Sequence, residues 1–147
     1  MRWILVLLFT YINAVELKIT SKLFSYDPKK QISIFREDVN ATKETDNILC
    51  DELIVYFDKN KKAKKIVAKG NVRFVITFDE NNTYKGKSKI LIYNLKKEDI
   101  ILNKGKIIKI ETNESVKGDE IILNRIDKSA KVIGDKKPVE IIIKVNE

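Results

Sequence analysis

One pattern is repeated along this chain, and it restricts the possible folds more than any other feature. The pattern is an apolar strand, a lysine-rich turn opened by Asp or Asn, a second apolar strand, and then usually a glycine and a third strand. In the clearest copy, apolar residues 53–57 precede the turn 58–62, residues 66–69 follow it, and Gly70 leads into residues 71–74. Less regular copies begin near Leu23, Ile90 and Ile121. Repetition at roughly 30 residues predicts units that stack and bury their apolar faces against one another.

Alternation of apolar and polar residues indicates β-strands along nearly the whole chain after residue 14. Val72, Phe74 and Ile76 fall on one face of a strand, and Arg73 and Thr77 fall on the other. The turn sequences Asp-Pro-Lys-Lys and Asp-Lys-Asn-Lys suit tight turns, because an Asp side chain accepts hydrogen bonds from the backbone that follows it. We expect an all-β meander of short antiparallel strands, a pattern typical of a sandwich, a jelly roll or a β-solenoid.

The N-terminal segment, residues 1–14, is typical of a secretory signal peptide. Arg2 supplies the positive charge, residues 3–9 form an apolar run, and Ala14 places a small residue at the cleavage edge. The run is shorter than the about 20 residues that a membrane-spanning helix needs. We therefore expect cleavage after residue 14, export of the protein, and a single domain at residues 15–147. A retained membrane anchor is the alternative.

The chain is basic, with 29 Lys and Arg residues against 21 Asp and Glu residues and a formal net charge of +8 at pH 7. This balance indicates either acidic partners, such as nucleic acid or anionic lipid, or a solvated lysine surface. Arginine, which binds phosphates and bases through paired hydrogen bonds, occurs only at positions 2, 36, 73 and 125. We expect a solvated surface with a secondary attraction to anionic lipid, and no nucleic-acid partner.

The sequence offers little for the common kinds of catalysis. It has no histidine and one cysteine, Cys50, so it lacks Ser–His and Cys–His pairs, thiolate clusters and imidazole metal ligands. Neighbouring carboxylates such as Asp51 and Glu52 point to opposite faces of a strand. A carboxylate-only hydrolase built from distant strands is the enzymatic alternative. We predict a protein that is not an enzyme, with no metal site, no cofactor and a buried Cys50.

Two paired motifs stand inside the repeats. Cys-Asp-Glu-Leu at 50–53 accompanies Gly-Asn-Val at 70–72, and Gly-Asp-Glu-Ile at 118–121 accompanies Val-Ile-Gly at 132–134. These motifs resemble the LptA/OstA-like family of periplasmic lipopolysaccharide transport proteins, over residues 17–147. The resemblance implies an open, V-shaped β-jelly roll of repeated antiparallel strands, with an apolar channel inside. It also implies that the protein binds lipopolysaccharide or lipo-oligosaccharide and bridges the inner and outer membranes.

The resemblance further implies head-to-tail assembly through sheet edges. Its partners would be a second copy end to end, an inner-membrane LptC-like domain and an outer-membrane LptD-like domain. The apolar strand at residues 139–145 suits such pairing, since an uncapped strand can accept another strand. The proposed assembly-edge residues are Leu17, Ile19, Ile142 and Val145. A membrane-anchored LptC-like partner and a β-scaffold module that binds no lipid are the alternatives.

Apolar positions of the predicted strands are proposed to line the lipid channel. Acyl chains that enter such a channel leave water, which is worth about 0.8 kcal/mol for each buried CH₂ group. The proposed lipid-binding groove residues are Ile34, Leu53, Val55, Phe57, Val72, Phe74, Ile76, Ile90, Ile92, Ile108, Ile110, Leu123, Ile141 and Ile143. A charge introduced at Phe74 is expected to abolish lipid binding.

Three segments share the pattern acid-x-Asn-x-Ser/Thr, which contains the common Asn-x-Ser/Thr acceptor. The longer pattern resembles the acceptor of the N-glycosylation system of some Gram-negative bacteria. The glycosylation candidates are Asn40, expected just after a strand, and Asn81 and Asn113, expected in polar loops. Coincidence within loops rich in Asp and Asn is the alternative.

Overall fold

The computed structural model describes residues 16–145, and all regular secondary structure in that part of the chain is β-strand. The ten strands are β1 Leu17–Thr20, β2 Leu23–Asp27, β3 Ile32–Lys43, β4 Asp46–Phe57, β5 Ala63–Asp79, β6 Asn82–Asn94, β7 Asp99–Lys109, β8 Ser115–Asn124, β9 Ala130–Ile133 and β10 Glu140–Ile142. Within residues 16–145 there is no helix of the length and apolarity that a membrane span requires. The predicted signal peptide, residues 1–14, lies outside the described residues.

All ten strands form one antiparallel sheet in which most chain neighbours are also sheet neighbours. The strand order is β1-β3-β4-β5-β6-β7-β8-β10, with β2 beside β3 and β9 beside β8. In the described part of the chain, the strands at the two ends of this order do not pair with each other, so the sheet stays open. The prediction of an open, all-β jelly roll is confirmed.

A crease crosses the sheet near the middle of the long strands. The register shifts between Arg36 and Val39 in β3, and again where β4 meets β5 and β5 meets β6. Left-handed backbone marks the same line, with φ of 67° at Glu37, 81° at Gly70 and 55° at Lys104. Irregularities of this kind bend strands without ending them. Each long strand therefore runs through the crease and contributes to both halves of the sheet.

The central strands are longer than the repeat pattern predicts. In the clearest copy, the second and third predicted strands are one strand, β5, with Gly70 inside it. Gly105 likewise lies within β7. The prediction that these two glycines separate strands is wrong, because the chain bends at the crease while its pairing to the neighbouring strands resumes beyond it.

The crease divides the sheet into two halves that share one apolar core. Half A is defined by its inward row of residues in register, Leu53, Ala68, Leu91, Leu102 and Ile121. Half B is defined by the inward row Ile48, Phe74, Gly86, Ile107 and Val116. Every residue of the half A row is 0% exposed, and burial of each large aliphatic side chain contributes about 1.5–3 kcal/mol. The packing of this row stabilises the bent form of the sheet.

The predicted turns form as their residue types suggest. The Asp58 carboxylate accepts the backbone N–H groups of Asn60, at 2.8 Å, and Lys62, at 3.0 Å. The hydrogen bonds from the Lys62 and Asn60 backbones lower the pKa of Asp58. The Asp27 carboxylate accepts the Lys29 N–H at 3.0 Å in the turn between β2 and β3. Acid-opened turns therefore join neighbouring strands at this end of the sheet.

Candidate functional site

The inward faces of half A and half B form an apolar interior, and half of the predicted groove residues lie on it. Seven predicted residues belong to the core or pack against it: Leu53, Val55, Phe57, Val72, Phe74, Ile76 and Leu123. Phe74 is 3% exposed and lies between Ile48 and Gly86 in the half B row. These seven residues come from β4, β5 and β8, so the folded sheet brings distant parts of the chain together.

The other seven predicted groove residues lie elsewhere. Ile34, Ile90, Ile92 and Ile108 are half-buried, and none of them belongs to the core cluster or packs against it. Their strand neighbours Phe35, Leu91, Tyr93 and Ile107 face the core instead. Ile110 lies in the turn after β7 and is 47% exposed. Ile141 and Ile143 lie in or just beyond β10, and both are exposed.

The crease explains why only half of the predicted groove residues face inward. It changes the number of positions between successive inward residues along a strand. In β6 the inward residues on either side of the crease are Ser88 and Leu91, three positions apart. In β7 they are Leu102 and Gly105, again three positions apart. Counting by twos through the crease therefore selects Ile90, which faces outward. Period two holds within each half but not across the crease.

The apolar interior opens to the surface beside β10. There a concavity of about 350 Å³ is lined by residues from β6, β7, β8 and the C-terminal segment. Ile141 stands next to Val116 in register and so extends the half B row to the sheet edge, where Ile141 is 53% exposed. We name this feature the apolar mouth and define it by Tyr84, Ile107, Val116, Ile141 and Ile143. Its rim carries Lys109 and Glu114.

Three residues of the apolar mouth, Tyr84, Ile107 and Val116, are absent from the predicted groove. Two of them could have been found from the spacings Gly105-x-Ile107 and Val116-x-Gly118. Residues two positions apart share a face of a strand, so Ile107 lies on the face of Gly105 and Val116 on the face of Gly118. The two glycines stand opposite each other in register, as do Ile107 and Val116.

A polar cluster links the two halves of the sheet at the turn between β8 and β9. The Arg125 guanidinium donates to the Thr77 carbonyl at 2.7 Å and to the Tyr93 hydroxyl at 3.2 Å, and it also bonds the Asp46 carboxylate. The Tyr93 hydroxyl donates to Glu98 Oε2 at 2.6 Å. Burial and this bond to Glu98 raise the pKa of Tyr93, so its hydroxyl stays protonated as a donor. The cluster thus holds half A against half B.

The predicted assembly edges occupy the two ends of the strand order. Leu17 and Ile19 of β1 pack partly against the core, and β1 pairs with β3 along one of its sides. Ile142 in β10 is 47% exposed and Val145 beyond it is 76% exposed. Within residues 16–145, the second side of each of these end strands carries no strand partner.

The three glycosylation candidates occupy different local structures. Asn40 lies within β3, not after a strand as predicted, because the strand continues to Lys43. The Asn40 side-chain oxygen accepts a hydrogen bond from Asn47 Nδ2 at 2.6 Å. Asn81 and Asn113 are exposed and lie in turns, as predicted. All three side chains are exposed, and Asn40 differs from the other two because it lies within a paired strand.

Cys50 is 1% exposed and belongs to the core cluster, so the prediction of a buried cysteine is confirmed. Burial raises the pKa of the Cys50 thiol to about 12, and the neighbouring Asp51 charge adds to this rise. A thiol with so high a pKa stays protonated near neutral pH and is a poor nucleophile.

Comparisons with known proteins identify a family from the sequence and a similar fold from a solved structure. The family model described as "LptA/(LptD N-terminal domain) LPS transport protein" matches residues 18–129. A solved structure with a similar fold is LptH from Pseudomonas aeruginosa, the LptA-homologous periplasmic component of a lipopolysaccharide transport device. The TM-score is 0.78 at 13% sequence identity, over 88% of this chain and 96% of that chain. No curated protein matches the sequence.

Proposed function

Because the chain belongs to the LptA/LptD N-terminal domain family of lipopolysaccharide transport proteins, we propose that it carries lipopolysaccharide or lipo-oligosaccharide through the periplasm. The observation that supports this most directly is the apolar mouth. The half B row passes through the core at Phe74, which is 3% exposed, and reaches the sheet edge at Ile141, which is 53% exposed. Apolar surface of this kind, at the end of a buried face, suits the acyl chains of a lipid.

The proposed mechanism is passive transfer through the apolar mouth. Each CH₂ group that leaves water contributes about 0.8 kcal/mol, so several acyl chains bind with useful affinity. The half A row is 0% exposed, so lipid enters from the half B side, where inward residues still contact solvent. The polar headgroup stays at the rim beside Lys109 and Glu114, since burial of unpaired charges is unfavourable.

End-to-end assembly is the second part of the proposal. β10 offers a free strand edge at one end of the sheet and β1 offers one at the other. Strand addition at these edges pairs the backbone groups that the edges leave open. A neighbour joined at β10 would continue the row that contains Val116 and Ile141, so lipid could move on without returning to water. The neighbour is a second copy, an inner-membrane LptC-like domain or an outer-membrane LptD-like domain.

A pair of matched variants tests the lipid-binding part. Ile141→Asp places a charge in the apolar mouth, whereas Ile126→Asp places one in an exposed turn, where Ile126 is 71% exposed. Each protein is purified from the periplasm, and bound lipopolysaccharide is measured by mass spectrometry of the extract. We expect lipid with the wild type and with Ile126→Asp, and little with Ile141→Asp. Equal lipid on both variants would contradict the proposal.

Ile141→Asp is a sharper test than a charge at Phe74. Phe74 is buried in the half B row, so a charge there is expected to unfold the protein as well as to remove lipid. Ile141 is exposed at the sheet edge, so its variant is expected to keep the core intact. Equal melting temperatures of the two Asp variants would verify this.

Export with a cleaved leader also belongs to the proposal. The mass of the periplasmic protein gives its N-terminus directly. A chain that starts near residue 15 supports a soluble carrier. An intact leader together with membrane association would favour the anchored LptC-like alternative, and a cleaved protein that never carries lipid would favour the β-scaffold.

Glycan attachment is proposed at Asn81 and Asn113. Both side chains are exposed in turns, and both stand in the acid-x-Asn-x-Ser/Thr pattern. Asn40 shares the pattern but lies inside β3 with its side chain bonded to Asn47, so we expect less modification there. Peptide mass spectrometry of protein from its native host tests this, and unmodified peptides at both turns would refute it.

A further inference from the structure

A row of basic side chains crosses the outer face of half B, on the side opposite the apolar interior. Arg73 of β5 stands beside Lys87 of β6, which stands beside Lys106 of β7, which stands beside Lys117 of β8. Neighbouring strands lie about 4.8 Å apart, so these four residues span about 14 Å. Like charges directly opposite on neighbouring strands destabilise a sheet. This basic row therefore opposes folding unless an anion neutralises it.

The protein itself supplies little neutralisation. The five ion pairs among residues 16–145 all involve other side chains, such as Lys104 with Asp119 at 3.0 Å. Glu140 stands beside Lys117 at one end of the basic row. At the crease, the Asp51 carboxylate accepts a hydrogen bond from Asn71 at 2.9 Å. The centre of the basic row thus keeps an excess of positive charge.

Two concavities meet on the basic row. One of about 430 Å³ is lined by Arg73, Lys85, Lys87 and Lys106, among others. The other, of about 750 Å³, reaches from Arg73 and Lys87 to the crease. The shared lining residues are Arg73 and Lys87. Concave surface lined by several cations favours a compact anion with more than one negative charge.

We propose that the basic row is a binding site for a phosphate-bearing anion, either the phosphorylated headgroup of a lipid or free pyrophosphate. Arg73 suits paired hydrogen bonds to phosphate oxygens, and Lys87 and Lys106 supply point charges on either side. The site lies on the outer face of half B, so it is distinct from the apolar mouth and does not depend on lipid transport.

A double variant and a matched control test this site. Lys87→Gln with Lys106→Gln removes two charges from the basic row, and Lys29→Gln with Lys30→Gln removes two from the exposed turn between β2 and β3. Titration calorimetry with inorganic pyrophosphate measures affinity at low and at physiological salt. Co-sedimentation with phosphatidylcholine vesicles, with and without phosphatidylglycerol, measures headgroup binding.

We expect the basic-row variant to bind at least about tenfold more weakly than the wild type, and the control to bind almost normally. Vesicle binding that pyrophosphate displaces identifies a lipid headgroup, whereas pyrophosphate binding alone identifies a free anion. Equal affinities of the two double variants, or no binding of either probe by the wild type, would overturn the proposal.

Melting temperatures give a readout that does not depend on the ligand. Relief of the repulsion among the four cations should raise the melting temperature of the basic-row variant above that of the control. Pyrophosphate should raise the melting temperature of the wild type, because a ligand that binds only the folded state stabilises it. A basic-row variant that melts below the control would instead indicate that the row serves packing.

Discussion

The guanidinium of Arg125, in the turn after β8, bonds the carboxylate of Asp46, the first residue of β4 and 79 positions earlier in the chain. The Asp46 side chain is 7% exposed and that of Arg125 is 20% exposed. Asp46 also accepts the Thr77 N–H at 3.0 Å, so one carboxylate joins three parts of the chain. This pair connects the two halves of the sheet.

Loss of the Asp46 carboxylate should therefore destabilise the whole fold. Asp46→Ala leaves the Arg125 charge largely buried without its partner, a change that costs about 3 kcal/mol in comparable sites. Urea unfolding followed by circular dichroism measures the loss. Lys22→Ala is the control, because it breaks the exposed Lys22–Asp38 pair and should leave the unfolding midpoint nearly unchanged. Similar midpoints for the two variants would contradict this assignment.

Gly86 should not tolerate even a methyl group. A Cβ built there would collide with the Lys106 carbonyl oxygen and lie 2.7 Å from Phe74 Cζ. Gly86→Ala must displace either the backbone of β7 or the core ring, which typically costs about 1–3 kcal/mol. Gly105→Ala is a milder comparison, since its Cβ would lie 3.0 Å from Leu102 Cβ. Thermal unfolding should rank wild type above Gly105→Ala and Gly105→Ala above Gly86→Ala; the reverse order of the variants would refute the packing argument.

Burial of Cys50 should make stability fall in alkaline solution. Its pKa rises from about 9 to about 12 on folding, so the unfolded chain loses the thiol proton first. The stabilisation is complete below pH 9 and is lost as pH rises towards 12, at about 1.4 kcal/mol per pH unit between these values. Urea unfolding between pH 8 and pH 10 should show a steeper fall for the wild type than for Cys50→Ala. Parallel profiles would contradict the prediction.

The same burial predicts a thiol that reacts only after unfolding. Ellman's reagent at pH 8 should modify Cys50 slowly in the native protein and fully in urea. Rapid modification of the native protein would show that the core opens easily around β4.

Assembly through β10 should be sensitive to charge at the exposed strand edge. Ile142→Lys places a cation on β10, and exposed lysines discourage strand pairing. Light scattering after gel filtration should show oligomers of the wild type that grow with concentration, and a monomer for Ile142→Lys. Ile126→Lys, in an exposed turn, is the matched control and should assemble normally. A wild type that stays monomeric at every concentration would remove self-assembly from the proposed function.

Much of the fold could be predicted from the sequence because its signals are local. Period two between Val72 and Ile76 reports one face of one strand, and the Asp58 turn forms through bonds within five residues. The groove could be predicted only in part. Ile90 and Leu91 are adjacent in sequence and both are apolar, so the alternation pattern does not tell which of them faces inward. The position of the crease decides this. That position is set by pairing among many strands.

The Arg125–Asp46 pair shows the other limit of sequence-based prediction. Arg125 is the one arginine in a set of turns otherwise rich in lysine, which marks it as unusual. Nothing local, however, identifies Asp46 as its partner, because the contact exists only once the sheet has bent. The same holds for the basic row, whose members become neighbours only through the register of β5 to β8.

If copies join through the free edges at β1 and β10, the length of the assembly is a multiple of the length of one copy. Eight strands lie along the main path of the sheet, and at about 4.8 Å per strand one copy spans about 38 Å. Each copy added at these edges would lengthen the assembly by the same amount. A lipid that moves along the joined interiors would meet the same residues in every copy. The distance it travels would then depend on the number of copies and not on any change in the protein.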